Sequence, residues 1–290
     1  MFHFLPTWFD TLCIGTKKVL RWVFFPIILL SFSGTLSAQT LQDIYSNLDI
    51  ATSMSVTPNA IYIVEQGKDR LLKLDHTGKL LDTIGGRGSG DYQFSKPVDV
   101  DATNGLKIFI TDQNNRRIQV FDRRGQFLSS ISERSSFVNS RRYHPNQLSV
   151  SDLGEIYFWD NESRLIRRFD MDYNFEDEFR ISSDIRSVDD LQVTSAEILI
   201  LDKSTESIHR LSPNGGYSGF YPVENIKAFY VNEQGMWLAY ENRVVYEQEN
   251  GEIQEFEFEK NVQPIDIHVQ SGSIFILTRG ELFKIETGSR

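Results

Sequence analysis

The chain has 290 residues, of which 40% are hydrophobic and 24% charged, and its formal net charge is -10. This length and apolar content exclude a mini-protein and a chain that is disordered as a whole, while the acid excess argues against binding to nucleic acid through its phosphates. The single cysteine excludes an internal disulfide framework.

The N-terminal segment differs in character from the rest of the chain. Basic residues precede an apolar run over residues 22–32, and small residues follow up to Ala38. The run is shorter than the ~20 residues that a membrane-spanning helix needs. We therefore interpret residues 1–38 as a signal peptide that is cleaved after Ala38, which predicts an exported protein in the periplasm, at the cell surface or secreted. The alternative is an uncleaved amphipathic anchor.

The one cysteine, Cys13, lies before the apolar run. Lipoprotein signals place their acylated cysteine after such a run, so no lipid anchor is expected. The mature chain, residues 39–290, then has no cysteine, which suits an oxidising compartment.

A unit of four short strands separated by turns recurs along the mature chain. In its clearest copy the alternation of apolar and polar residues predicts strands at 98–101, 107–111, 118–121 and 127–131. Fainter copies begin near residues 61, 145, 197, 235 and 273. Six units of about forty residues predict an all-β, six-bladed β-propeller of four-stranded blades that occupies residues 39–290 as one domain.

The last unit ends too early to be complete. Its third strand, near residues 282–285, lies close to the C-terminus, so its outermost strand must come from elsewhere. The apolar stretch at residues 41–50 precedes the first unit and has no other role. We predict that this stretch supplies the missing strand and closes the ring. The alternative, a loose linker, would leave Ile44, Tyr45 and Leu48 in water at a cost.

The second unit carries the most specific motifs. A glycine-rich stretch at residues 85–90 precedes Phe94, and Asp112, Asn115 and Arg117 follow the second strand. These residues resemble the NHL-repeat family of six-bladed propellers, and the match weakens in the later blades. The resemblance implies structural roles: the glycines permit positive φ in a crowded crossing between blades, and Asp112 and Asn115 bond backbone amides of the tight turn between strands.

A calcium site at Asp112, Asn114 and Asn115 is an alternative interpretation of the same motif. One blade supplies few oxygen ligands for such an ion. We therefore favour the structural interpretation and predict no metal and no other cofactor.

Related propellers include enzymes of two kinds. Zinc-dependent amidating lyases use histidines that face the channel, but the mature chain's histidines fall at unlike repeat positions, so no metal triad and no catalytic residue are predicted. Gluconolactonase-like propellers hold a divalent ion with Glu, Asn and Asp residues. The histidines are His76, His144, His209 and His268, and the candidate channel carboxylates are Asp99, Asp101, Asp189, Asp190 and Asp266.

Charge is distributed unevenly between the two halves of the repeat region. Residues 85–170 carry thirteen basic and eleven acidic side chains, whereas residues 171–290 carry ten and twenty-two. The loops between the second and third strands lie on the same face as the crossings between blades, and over the first three blades this "basic face" carries several Arg residues. Its predicted partner-binding residues are Arg87, Arg116, Arg134, Arg141, Arg142, His144 and Arg164. Nearby aromatic residues expected to be exposed are Tyr92, Phe94, Phe137, Tyr143 and Trp159, although Phe94 is more simply explained as the packing residue of the repeat.

From these patterns we predict an exported, monomeric, non-enzymatic scaffold whose basic face binds a protein, an anionic glycan or a lipid headgroup region. One alternative is a solvated surface whose Arg residues pair with Asp91, Glu133, Asp160 and Glu162. Another is a metal-assisted lyase or lactonase with its site in the central channel. RNA binding is disfavoured by the signal peptide and the acid excess.

Overall fold

The computed structural model describes residues 39–132 and 143–287. They form six four-stranded antiparallel sheets arranged as the blades of a propeller. The proposed signal peptide, residues 1–38, lies outside the described residues. Within the described part of the chain, no helix is long and apolar enough to span a bilayer.

Each of blades 1 to 5 is built from four consecutive strands, innermost first. Blade 1 contains β2 (Ala51–Thr57), β3 (Ala60–Glu65), β4 (Arg70–Leu74) and β5 (Leu80–Gly85), and blade 2 contains β6 (Pro97–Asp101), β7 (Lys107–Asp112), β8 (Arg117–Asp122) and β9 (Phe127–Ser132). Blade 3 contains β10 (Pro145–Val150), β11 (Ile156–Asp160), β12 (Leu165–Phe169) and β13 (Phe175–Arg180). Blade 4 contains β14 (Asp190–Val193), β15 (Ile198–Asp202), β16 (Ser207–Leu211) and β17 (Tyr217–Pro222), and blade 5 contains β18 (Ala228–Asn232), β19 (Gly235–Ala239), β20 (Arg243–Gln248) and β21 (Ile253–Glu257).

Blade 6 combines the two ends of the chain. Its strands are β22 (Asp266–Gln270), β23 (Ser273–Leu277), β24 (Glu281–Glu286) and, outermost, β1 (Gln42–Ser46). β1 pairs antiparallel with β24, from Gln42 opposite Lys284 to Ser46 opposite Glu281. The predicted closure of the ring by an N-terminal strand is therefore confirmed. A short 3-10 helix, Gln66–Lys68, follows β3.

The sequence pattern of each strand follows its place in the blade. Second strands are buried on both sides between neighbouring blades and are continuous apolar runs, as in β15 and β23. Outer strands such as β5 are mostly exposed. Apolar clusters fill the space between successive blades, where Tyr62 and Val64 of blade 1 pack with Phe94, Val100 and Ile110 of blade 2. Each blade is thus stabilised by its two neighbours.

The glycine-rich crossing between blades 1 and 2 is as crowded as the sequence predicted. Gly85 has a φ of +114°, and a Cβ atom there would lie 2.6 Å from the ring of Phe94. Both the conformation and the close approach therefore require glycine.

Asp112, at the end of β7, holds this crossing in place. Its buried carboxylate accepts the Ser95 amide at 2.8 Å and Arg117 Nε at 2.9 Å. Asn115 donates to the carboxylate and to the Gly88 carbonyl, both at 2.8 Å. The two side chains therefore bind the crossing between blades rather than amides of the turn that follows β7, where the sequence placed their partners. Donors already occupy both carboxylate oxygens of Asp112, which the alternative calcium site requires.

We expect Ile44→Ala to destabilise the fold, because Ile44 of β1 packs against the core shared by blades 1 and 6. The free energy of unfolding in urea should fall by about 1–3 kcal/mol, less than for a fully buried isoleucine. Gln42→Ala, at an exposed position of the same strand, is the matched control. Equal unfolding midpoints for the two variants would show that β1 does not close the ring.

Candidate active site in the central channel

The innermost strands bring six equivalent positions together around the axis. In each of these strands one core residue pairs with the equivalent residue of the second strand of the same blade. This pairing identifies the equivalent positions of the six inner strands. These core residues are Met54, Val100, Leu148, Leu191, Phe229 and Ile267. The residues just before them form an "upper ring": Ser53, Asp99, Gln147, Asp190, Ala228 and Asp266. The residues just after them form a "lower ring": Ser55, Asp101, Ser149, Gln192, Tyr230 and His268.

The upper ring carries a carboxyl group on every second blade. Burial raises the pKa of Asp99 to about 7 and that of Asp190 to about 6, and it raises the pKa of Asp266 well above its usual range. Asp190 adds to the rise at both Asp99 and Asp266 by charge repulsion. Because their blades are not neighbours, these three groups interact across the axis, and their pKa values are raised toward neutral pH.

Most of these polar side chains also bind the backbone of the next blade. Asp99 accepts the Leu148 amide at 2.7 Å, and Asp266 accepts the Met54 amide at 2.6 Å. Asp101 of the lower ring likewise accepts the Val150 amide at 2.7 Å. Such bonds satisfy amides on the free inner edge of each sheet.

Asp190 is bound more loosely than the other two upper-ring carboxyls. Its oxygens accept the amide of its own neighbour Leu191 at 2.7 Å and the Gln192 side chain at 3.4 Å. Gln192 itself makes the bond to the next blade, by accepting the Val231 amide at 2.9 Å. Asp190 is therefore the carboxyl most available to a ligand in the channel.

The lower ring has an aromatic pair between blades 5 and 6. The rings of Tyr230 and His268 lie with their centroids 4.0 Å apart. Burial raises the pKa of Tyr230 to about 12 and lowers that of His268 to about 3. Both side chains are therefore neutral at physiological pH and act only as hydrogen-bonding groups.

Two buried polar atoms of these rings have no hydrogen-bond partner among the described residues. They are Gln147 Oε1 in the upper ring and His268 Nδ1 in the lower ring. Unsatisfied buried polar atoms are uncommon in folded proteins and are often explained by a ligand or by water. Their position beside the three carboxyls points to the channel as a ligand site.

Four of the five carboxylates that the sequence offered as channel candidates lie in the two rings, and the fifth does not. Asp99, Asp190 and Asp266 lie in the upper ring and Asp101 in the lower ring. Asp189 is exposed and accepts the Lys203 amide at 2.8 Å, so it belongs to a loop. Sequence reasoning did not identify Ser53, Gln147 or Tyr230, although aligning the repeats on their buried core residues would have found all three.

The donor arrangement does not fit a directly coordinated metal ion. Across the residues described, no group of three or more His, Cys, Asp or Glu side chains is placed to hold one. The histidines are dispersed: His76 contacts the Thr57 carbonyl at 2.8 Å and His209 contacts the Tyr217 hydroxyl at 3.0 Å, both away from the channel. No step of the chemistry below is routed through a metal.

The structure places four of the predicted basic-face residues. Arg87 pairs with Asp69 at 3.0 Å and Arg116 pairs with Glu162 at 2.9 Å, while Arg164 lies over the Trp159 ring. His144 is half-buried in the crossing before β10. Arg134, Arg141 and Arg142 lie outside the described residues, so a partner site on this face stays a prediction.

Three of the aromatic residues expected to be exposed on this face are buried. Phe94, Tyr143 and Trp159 lie in the core. Trp159 belongs to β11, which is covered on both sides by neighbouring blades, and Phe94 packs between blades 1 and 2. Tyr92 is exposed, at 41%. Phe137 lies outside the described residues.

Solved structures with a similar fold are numerous. A gluconolactonase from Xanthomonas campestris superposes with a TM-score of 0.64 at 13% identity, over 85% of this chain and 89% of that one. A virginiamycin B lyase from Staphylococcus aureus gives 0.57 at 14% identity, over 82% and 81%. The WD40 repeats of RRP9 give 0.65 at 10% identity, over 86% and 99%. No protein-family model and no curated protein matches the sequence.

At these identities the likeness establishes the fold, a six-bladed β-propeller. The similar structures that carry a functional name are mainly lyases and gluconolactonases. They contradict our prediction of a non-enzymatic scaffold, which is wrong as the leading interpretation, and they favour the alternative of an enzyme with its site in the channel.

The raised pKa values predict a pH-dependent stability. Between about pH 4 and pH 7 the folded protein binds protons at Asp99 and Asp190 that the unfolded chain has released, so the contribution of these groups to stability falls as pH rises. In Asp99→Asn the stability should fall less as pH rises. The difference from the wild type should be about 1.4 kcal/mol for each unit by which folding raises the pKa of Asp99.

Urea unfolding of Asp99→Asn and of the wild type at pH 4 to 8 measures this effect. Asp91→Asn, at an exposed position outside the two rings, is the matched control. If the two stability curves of wild type and Asp99→Asn run parallel, Asp99 does not have a raised pKa.

Proposed function

We propose that this propeller is an enzyme that hydrolyses lactones by acid–base catalysis in its central channel. The observation that carries the proposal is the upper ring, where three carboxyl groups with raised pKa values face one another across the axis. General acid–base catalysis works best with groups whose pKa lies near the working pH. Here the pKa of Asp99 is about 7 and that of Asp190 is about 6.

Asp190 suits the role of general base. With a pKa of about 6 it is ionised at neutral pH, and among the residues described its oxygens accept only the Leu191 amide and, at 3.4 Å, the Gln192 side chain, both from its own strand. Its carboxylate takes a proton from water while the water oxygen forms a bond to the lactone carbonyl carbon. The electron pair of the carbonyl double bond moves to the carbonyl oxygen and gives a tetrahedral intermediate.

Asp99 suits the role of general acid. With a pKa of about 7 it retains a proton in a large fraction of molecules at neutral pH, and its Oδ1 lies 2.5 Å from Ser53 Oγ. When the intermediate re-forms the carbonyl, the ring carbon–oxygen bond breaks and the departing oxygen takes a proton from Asp99, directly or through the Ser53 hydroxyl. The product is a hydroxy acid.

The remaining channel groups bind and orient the substrate. Gln147 Oε1 accepts a hydrogen bond from a substrate hydroxyl, and His268 Nδ1 bonds a polar group deeper in the channel. Burial and the charges of Asp190 and Asp99 raise the pKa of Asp266 and so disfavour its ionisation.

A lyase reaction is the second candidate, because several similar structures are lyases by name. The same pair would then act differently: Asp190 removes a proton from carbon, and Asp99 protonates the group that leaves as a carbon–carbon double bond forms. Lactone hydrolysis releases an acid, whereas elimination creates a double bond that absorbs in the ultraviolet. The two reactions are therefore distinguishable in one experiment.

The test follows acid release in a pH-stat and ultraviolet absorbance together, with a panel of five- and six-membered sugar lactones. We expect acid release that is greatest between about pH 6 and 7, since the base must be ionised and the acid protonated. Asp190→Asn should lower kcat by about 10²–10⁴-fold. Asp91→Asn, at an exposed position outside the two rings, should retain the wild-type rate.

Acid release that persists in Asp190→Asn would contradict the assigned base. Absorbance growth without acid release would favour the lyase reaction. A rate that is abolished by EDTA and restored by Ca²⁺ or Mg²⁺ would show that the carboxyls act as metal ligands and would overturn the acid–base assignment.

Two further parts of the account are proposals that rest on the sequence. The motif at Asp112, Asn115 and Arg117 supports membership of the NHL-repeat family. The basic and apolar pattern of residues 1–38 supports export of a mature chain that begins at Gln39. The closure of the ring by β1 supports a monomer, since the closed ring does not require oligomerisation. N-terminal sequencing of the exported protein should give Gln39 as the first residue, and an intact Met1 in that protein would contradict cleavage.

A further inference from the structure

A groove with a volume of about 510 Å³ opens on the propeller face that carries the crossings between blades. It lies over blades 4 to 6, on the same propeller face as the basic-face residues of blades 1 to 3 but over the other half of the ring. Val262, Pro264 and Ile265 supply apolar surface. Four basic residues line the groove: Lys203, Lys227, Lys260 and Arg279.

The groove is lined mainly by basic residues, although the part of the chain that forms it is acidic. Residues 171–290 carry ten basic and twenty-two acidic side chains, yet four of the ten basic ones line this groove. Glu281 is the one acidic residue of the lining. A local excess of positive charge within an acidic half attracts anions to one place rather than to the whole surface.

Two of the four cations are not neutralised by the protein. Lys227 pairs with Glu241 at 2.9 Å, and Lys260 lies 3.5 Å from Glu281. Lys203 and Arg279 are exposed and form no ion pair with any residue that the structure describes. Their charges remain available to a ligand.

The backbone around the groove is fixed by bonds between segments. The Val262 amide donates to the Glu241 carbonyl, and the Ile265 amide donates to the Leu277 carbonyl, both at 2.8 Å. Binding an anion there needs little ordering of the backbone, which lowers the entropic cost of association.

The groove adjoins the upper ring. Ile265 of its lining immediately precedes Asp266, and the charge of Lys203 acts on Asp190 and favours its ionised form. A molecule that occupies the groove therefore lies beside the carboxyls of the channel.

We propose that the groove binds an anionic group, a carboxylate or a phosphate, on a substrate whose reacting ester lies over the upper ring. The role as a substrate subsite rests on the proposed lactonase function, whereas anion binding by the groove does not. Arg279 can bind either group through two parallel hydrogen bonds, and Lys203 contributes a second charge. The enzyme would then prefer lactones that carry a negative charge away from the ring ester.

Calorimetric titration with glucose 6-phosphate, gluconate and glucose tests the groove without requiring turnover. We expect saturable binding of the anions and none of glucose, and the order of the two anions identifies phosphate or carboxylate as the preferred group. The double variant Lys203→Gln/Arg279→Gln should weaken anion binding at least tenfold.

The matched control is Lys79→Gln/Arg123→Gln, which removes two exposed cations from turns on the opposite face. It should bind the anions as the wild type does, and urea unfolding verifies that both double variants are folded. Equal losses in the two double variants, or no saturable binding of either anion, would overturn the proposal. Anion binding without lactone hydrolysis would leave the groove in place and refute only the proposed reaction.

Discussion

The pairing of β1 with β24 is the constraint on which the rest of the structure depends. Without it, the outer side of β24 would be an unpaired edge, and no strand that leads into blade 1 would be bonded to blade 6. The segment after β1 is also tied to blade 6, since the Leu48 and Ala51 amides donate to the Gly280 and Arg279 carbonyls, each at 3.0 Å. Closure fixes the six inner strands around one axis, and this alone brings residues of blades 2, 4 and 6 into one ring.

The inner carboxyls serve two purposes that work against each other. Asp99 and Asp266 bond amides of the next blade and so help to hold the ring together. Bonds to amides favour the ionised carboxylate, whereas burial and mutual repulsion favour the protonated form and are the stronger influence. Asp190 makes no bond to the backbone of the next blade, so its carboxyl group is available to a substrate. Blade 4 is bonded to the next blade by Gln192 instead, which accepts the Val231 amide.

The fold could be predicted because its signals are local and repeated. The strands of the clearest repeat agree with β6 to β9 within one residue at each end. The missing outer strand of blade 6 was deducible from the length of the last repeat. That Asp99 and Asp101 share one side of a strand also followed from its alternation, and four of the five candidate carboxylates lie in the two rings.

Features that depend on contacts between distant segments were not predictable in this way. Trp159 was expected at the surface among the aromatic residues near the basic face, but its strand is covered by both neighbouring blades. The interaction of Asp99 with Asp190 requires knowing which blades face each other across the axis. The lysine-lined groove is assembled from loops of blades 4, 5 and 6, so only the folded chain shows its excess of positive charge. The prediction of a scaffold was wrong for a related reason. It was based on charge counts along the sequence, which do not show the upper ring that forms when the propeller closes.

The central claim is that Asp99 and Asp190 of the upper ring have pKa values raised to near neutral pH, and carboxyl titration by carbon NMR tests it most directly. In protein labelled with ¹³C at the aspartate side-chain carboxyl, Asp99→Asn and Asp190→Asn variants assign the two resonances. The account predicts that Asp99 titrates at about pH 7 and Asp190 at about pH 6. Titration of both groups near pH 4, the ordinary range for aspartate, would contradict it.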